Sequence, residues 1–193
     1  MDFDATASAR KREKQLRHGM SIKNFWGTPL DVFAALDREF DFDVDAAAEA
    51  ATSKCPLWFG LDHPDPTRRD ALLASVRWGG DSVFLNPPYS PDGGTILRWV
   101  QRAHLEVTHS RASTVVLLLP ATPDTEWAEF CARYADEIRF TPRIPFDDPA
   151  GKRTAPMGGS MVVVLRRNPK YNTELGHGTT PRVVFGYAPW KEE

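Results

Sequence analysis

Cysteine is scarce in this chain. Cys55 and Cys131 are the two among 193 residues, far apart and without CxxC spacing, so no disulfide framework or zinc site is expected. The five histidines are equally scattered and form no HExxH pair, so no metal is expected either. Apolar runs such as Val115 to Leu119 are far too short to cross a bilayer, and no signal-peptide pattern opens the chain. These absences predict a cytoplasmic protein with no membrane partner. No GxGxxG loop, Walker motif or nucleophile elbow is present, which counts against a dehydrogenase, an NTPase and an α/β hydrolase. Gly93-Gly94 is too little to cradle a phosphate. A strong charge of either sign is also missing. The net charge of −2 does not announce a nucleic-acid binder, although a basic face can coexist with an acidic pocket.

What is present suits one globular domain with a buried core, at 41% hydrophobic and 26% charged residues. Residues 1–20 are polar, charged and aperiodic, and predict a flexible tail ahead of a domain spanning 21–193. Thr28-Pro29 has the form of an N-cap followed by a first-turn proline. The stripe Leu30, Phe33, Leu36 and Phe40 then predicts a helix over about 29–39. Residues 42–45 alternate as a short strand running into an alanine-rich helix start at 46–50. A proline-rich loop leads to a short helix over 71–76. Further helices are predicted over 95–108 and 124–135, and strands over 82–86, 114–119, 137–140, 161–166 and 182–187. Alternating strands and helices predict an α/β layered sheet, mostly parallel, with antiparallel strands allowed late in the chain.

The segment Asn86-Pro87-Pro88-Tyr89 closes the strand Ser82-Val83-Phe84-Leu85. Two prolines lack the donor a ladder needs, so the strand must stop and throw an aromatic ring out at its end. Asn86 Oδ1 and the Pro87 carbonyl can accept hydrogen bonds from an exocyclic amine, while Tyr89 offers a face for stacking on a planar base. Open α/β sheets bind ligands beyond the carboxyl ends of their strands, where the strand order reverses. If the strand carrying Asp43 and Asp45 neighbours the one ending at Asn86, these acids and the amine-binding corner share one crevice. There the acids could hold a cationic cofactor or its ribose hydroxyls. Asp45 could equally cap the helix expected after it, and Asp62 and Asp70 could be plain turn residues.

These residues resemble the phage and prophage DNA N-6-adenine methyltransferases, often called the phage Dam family, from about Lys23 to Arg166. The resemblance rests on Trp26-Gly27-Thr28-Pro29, Phe42-Asp43-Val44-Asp45-Ala46-Ala47, Lys54-Cys55 and Trp58-Phe59. It continues through Asp70-Ala71-Leu72, Trp78, Phe84 to Ser90, Ile96 with Trp99-Val100, Leu118 to Ala121, and Arg143 with Phe146. It implies a Rossmann-like methyltransferase fold, S-adenosylmethionine as methyl donor and adenine N6 in double-stranded DNA as acceptor, the base being flipped out. Asn86, Pro87, Pro88 and Tyr89 would then be catalytic. Trp26, Thr28, Pro29, Asp45 and Asp70 would line the cofactor. The insertion Leu61 to Arg69 departs from the family pattern and leaves Asp70, in preference to Asp62, as the acid near the cofactor's adenine.

Basic residues cluster at 10–17 and again at Lys152, Arg153, Arg166, Arg167 and Lys170. Arg143, Lys152 and Arg153, in the loop 142–160, are the candidate DNA contacts beside Tyr89, with solvated charge as the alternative reading. The tetrapeptide alone would also suit methylation of an RNA base or a protein glutamine amide, or a non-catalytic binding module. No feature of the sequence specifies an oligomeric state.

Overall fold

The computed structural model describes residues 27–89, 95–109, 111–147, 152–154, 158–167 and 181–191. Its elements run α1 (Leu30–Phe40), β1 (Val44–Asp45), β2 (Leu57–Trp58), β3 (Ser82–Leu85), α2 (Ile96–Thr108), β4 (Thr114–Pro120), α3 (Glu126–Tyr134), β5 (Glu137–Thr141), β6 (Phe146–Asp147), β7 (Arg153–Thr154), β8 (Ser160–Arg166) and β9 (Arg182–Val184). Seven strands form one sheet in the order β2-β1-β3-β4-β8-β5-β9, and β6 and β7 form a separate antiparallel ribbon. Within the large sheet every strand runs the same way except β8, which is antiparallel to both β4 and β5.

The central strands are buried on both faces, as their continuous apolar sequence requires. Val115, Leu117, Leu119, Val163 and Leu165 face α2 and α3, packing with Trp78, Trp99, Val100, Ala103, Trp127 and Cys131. Their alternates Val116, Leu118, Val162 and Val164 face α1, with Phe84 and with Val32, Phe33 and Leu36 of that helix. The two-residue period of the strands thus divides one sequence run between two cores. α1 ends where Asp41 takes a left-handed conformation, φ 50°, and the Asp37 carboxylate accepts the Phe42 N–H at 2.9 Å.

From β1 the chain passes to β2 on one side and then returns to β3 on the other. That reversal makes the space beyond the carboxyl ends of β1 and β3 the candidate crevice, where open α/β sheets take their ligands. Two close approaches pack the chain around β1, one at each end of it. A Cβ on Gly60, just after β2, would lie 1.7 Å from the Ala48 carbonyl oxygen, so only glycine lets this backbone pass over the loop that follows β1. Gly80 has φ 152°, and a side chain there would strike Val44.

Several expectations are corrected. Residues 46–50 form bends and turns rather than a helix, and 71–76 are turns as well. The alanines suit a helix by propensity, but the backbone of 46–48 is bonded outward: Ala46 N–H donates to Phe84 and Ala48 N–H to Phe59. β2 falls in the region read as loop. It is two residues long and held by parallel pairing to β1, which no local pattern announces. The sixth predicted strand shrinks to Arg182–Val184. The tail 1–20 and Trp26 lie outside the described residues.

Candidate active site

Asp45 ends β1 and stands opposite Phe84 of β3, two residues before Asn86. The two polar strand ends are therefore neighbours. Asp43 is not part of that crevice. It lies at the amino end of β1, where its Oδ2 accepts the N–H groups of Asp81 and Ser82 at 2.9 and 3.1 Å and so holds the entry to β3.

The Asp45 carboxylate is buried and is met directly by two backbone N–H groups, Lys54 at 3.2 Å and Ala47 at 3.4 Å. Loss of water outweighs these bonds and the nearby Lys54 charge, and pushes its pKa up from 3.8 to about 6. The capping role expected for Asp45 survives in altered form: it closes a loop instead of starting a helix.

Asn86 presents the most informative atoms of the crevice. Its Nδ2 donates to the Thr28 hydroxyl at 3.0 Å, while its Oδ1 is buried and has no hydrogen-bond partner among the described residues. An unmet buried acceptor costs roughly 1–3 kcal/mol, so its presence at a strand end calls for a ligand donor. Thr28, 4% exposed, was expected to cap α1. The helix instead begins after Pro29, whose position receives no side-chain cap, and the Thr28 hydroxyl is turned to Asn86.

Pro87 is buried and Pro88 half-buried. The Tyr89 hydroxyl donates to the Leu118 carbonyl of β4 at 3.0 Å, and burial drives its pKa far above the ordinary tyrosine value. The residue as a whole is intermediate in exposure, tethered at its buried tip. It meets Phe146 edge-on at 6.2 Å. Sequence reasoning missed this support, because the contact joins β6 to a segment almost sixty positions away.

Phe146 brings β6 to the Tyr89 corner. Asp147 pairs with Gly27 through two backbone bonds, 2.8 and 3.0 Å, and so ties the ribbon to the segment leading into α1. Of the candidate DNA contacts, Arg143 and Lys152 are exposed. Arg153 is engaged by Asp31 at 2.9 Å and Asp147 at 3.3 Å, all three side chains being substantially exposed. Asp70 is exposed, and its Oδ1 accepts the Leu72 N–H at 2.9 Å, a turn-closing bond. Both oxygens of Asp62 accept the Ala50 N–H, at 3.1 and 3.3 Å, tying the insertion to the loop after β1. Among the described residues no three His, Cys, Asp or Glu side chains converge as a metal site, and no helix is long and apolar enough to cross a membrane.

Residues 17–186 match the family described as DNA N-6-adenine-methyltransferase (Dam). The chain belongs to that family. It is 31% identical over 150 residues to the DNA N-6-adenine-methyltransferase of Haemophilus phage HP1 (strain HP1c1), a match covering 75% of this chain and 79% of the phage protein. Membership makes this Dam-family protein a DNA adenine-N6 methyltransferase. The matched span contains Thr28, Asp45, Asn86, Tyr89 and Phe146.

Proposed function

We propose that the protein transfers a methyl group from S-adenosylmethionine to N6 of an adenine extruded from duplex DNA into the crevice between β1 and β3. The reversal of strand order there supports a Rossmann-like methyltransferase fold. The single observation that carries the reading is the buried, unpartnered Oδ1 of Asn86.

Adenine N6 is a poor nucleophile because its lone pair is delocalised into the ring. Asn86 Oδ1 and the Pro87 carbonyl would accept its two N–H bonds, favour a pyramidal nitrogen and turn the lone pair outward. When bound, S-adenosylmethionine supplies an electrophilic methyl group on a sulfonium and leaves as a neutral thioether. As the N–C bond forms, N6 becomes cationic and then releases one proton to solvent, so no strong general base is needed. Orientation of the two reactants does most of the work.

The other residues fit a cationic donor and an extruded base. Asp45 offers a buried carboxylate that a nearby positive charge would hold ionised. Pro29 at the N-cap offers no side-chain acceptor to the N–H groups opening α1, which would suit a carboxylate. The ring of Tyr89, a residue of intermediate exposure, would stack on the extruded adenine, offsetting roughly 1–3 kcal/mol of lost stacking. Arg143 and Lys152 would meet phosphates beside it.

The test is Asn86→Ala, with transfer of tritiated methyl groups to unmethylated genomic DNA measured beside donor affinity by calorimetry. Transfer should be abolished and donor affinity largely kept. Activity within a few-fold of the unaltered protein would overturn the reading.

A further inference from the structure

We infer that Thr28 is a positioning residue for the acceptor amine, acting through Asn86; the inference rests on the amine-accepting reading of Asn86. The two ends of a side-chain amide have opposite chemistry: Oδ1 only accepts and Nδ2 only donates. An incoming exocyclic amine presents N–H groups, so only the orientation with Oδ1 toward the amine is productive. Rotated by half a turn, the amide would set its own N–H groups against those of the base.

The Thr28 hydroxyl, which can donate or accept, takes the accepting part with the amide in this orientation and holds its Nδ2 end. It accepts from Asn86 Nδ2 at 3.0 Å and leaves the unpartnered Oδ1 for the amine. Thr28 is 4% exposed and Asn86 is partly buried. A valine at position 28 would fill the space of the hydroxyl with a methyl group and leave water little room to replace it. The hydroxyl is free of the N-cap position, which Pro29 occupies. Three further bonds fix the place of Thr28. Gly27 is held by the paired backbone bonds to Asp147, and the Phe33 N–H donates to the Pro29 carbonyl at 3.0 Å. The segment before α1 is thus anchored on both sides of the residue that orients the amide. This assigns Thr28 to the acceptor side of the reaction instead of the donor side.

Thr28→Val keeps the shape and removes the hydroxyl; Thr28→Ser keeps the hydroxyl. Turnover is measured with saturating tritiated S-adenosylmethionine and unmethylated genomic DNA, beside calorimetric S-adenosylmethionine affinity and a melting curve. Thr28→Val should lower kcat roughly 10- to 100-fold, the size of effect that a lost partner of a buried amide produces. Donor Kd should stay within about threefold, and Thr28→Ser should recover most of kcat; a merely structural role would not give that combination. A kcat for Thr28→Val within threefold of the unaltered protein would overturn the assignment. So would a tenfold weakening of donor binding, or a Thr28→Ser variant as slow as Thr28→Val. Asn86→Ala run in parallel separates the two failures. If it retains turnover, the amine-accepting reading itself fails; if it is inactive while Thr28→Val is active, only the role of Thr28 fails.

Discussion

Arg153 and Asp31 lie 122 positions apart and meet at 2.9 Å, joining the β6-β7 ribbon to the first turn of α1 beside the crevice. With Asp147 also on Arg153, its charge is already matched in the protein without DNA. A phosphate would have to displace these carboxylates, whereas Arg143 has no ion pair among the described residues. Arg143→Ala should therefore reduce the salt slope of DNA binding by roughly 0.9 if it contacts one phosphate, and Arg153→Ala by less. Asp31→Asn should strengthen DNA binding. Binding isotherms at several salt concentrations check all three, and unchanged slopes would put the DNA track elsewhere.

Tyr89 separates stacking from tethering. Tyr89→Phe keeps the ring and loses only the bond to the Leu118 carbonyl, so turnover should fall a few-fold. Tyr89→Ala removes the stacking face and should cost roughly 10- to 100-fold, the equivalent of a lost base contact. Neither should alter the salt slope. Because burial raises the pKa of its hydroxyl, no titration of Tyr89 should enter the pH–rate profile below pH 10. Equal losses in the two variants would reject the stacking role.

Asp45 ties donor binding and stability to pH in opposite senses. Its folded pKa of about 6 lies above its ordinary value of 3.8, so between those values the native state holds a proton that the unfolded chain has released. Stability without ligand should therefore fall as pH rises from about 4 to about 6 and level off above, by on the order of 3 kcal/mol. A cationic donor prefers the ionised form, so its affinity should rise over pH 5 to 7 with release of a proton. Melting curves and calorimetry in buffers of different ionisation enthalpy measure both trends. Asp45→Asn should flatten them, and a pH-independent affinity in the unaltered protein would remove Asp45 from the donor site.

Arg139 supplies a structural contrast. It makes a two-pronged bond to Glu39, both arms 2.7 Å, pairs with Glu137, and lies over the rings of Phe40 and Tyr187. Arg139→Ala should destabilise the fold by about 2 kcal/mol, less than the loss for a fully buried pair because Glu39 is partly exposed. Donor affinity should be unchanged at temperatures where the variant is folded. Chemical denaturation and calorimetry on one preparation decide this.

The sequence by itself determined the features whose cause is local. Continuous apolar runs at 114–119 and 161–166 became the doubly buried strands. The stripe from Leu30 to Phe40 became α1, and the prolines after Asn86 stopped β3. The short motifs from Trp26-Gly27-Thr28-Pro29 to Asn86-Pro87-Pro88-Tyr89 carried the resemblance to the family that the chain then proved to belong to. Only the tertiary structure decided which end of β1 meets the crevice, separating Asp45 from Asp43 although two positions divide them. It also overrode the helical preference of 46–50, because backbone groups there find partners on β3 and beyond β2, and packing outweighs tenths of a kcal/mol of propensity. A capping motif in sequence became an amide-orienting hydroxyl in space for the same reason. Local pattern fixes what a side chain can donate or accept, while the partner 58 positions away is supplied by the meeting of α1 with the end of β3.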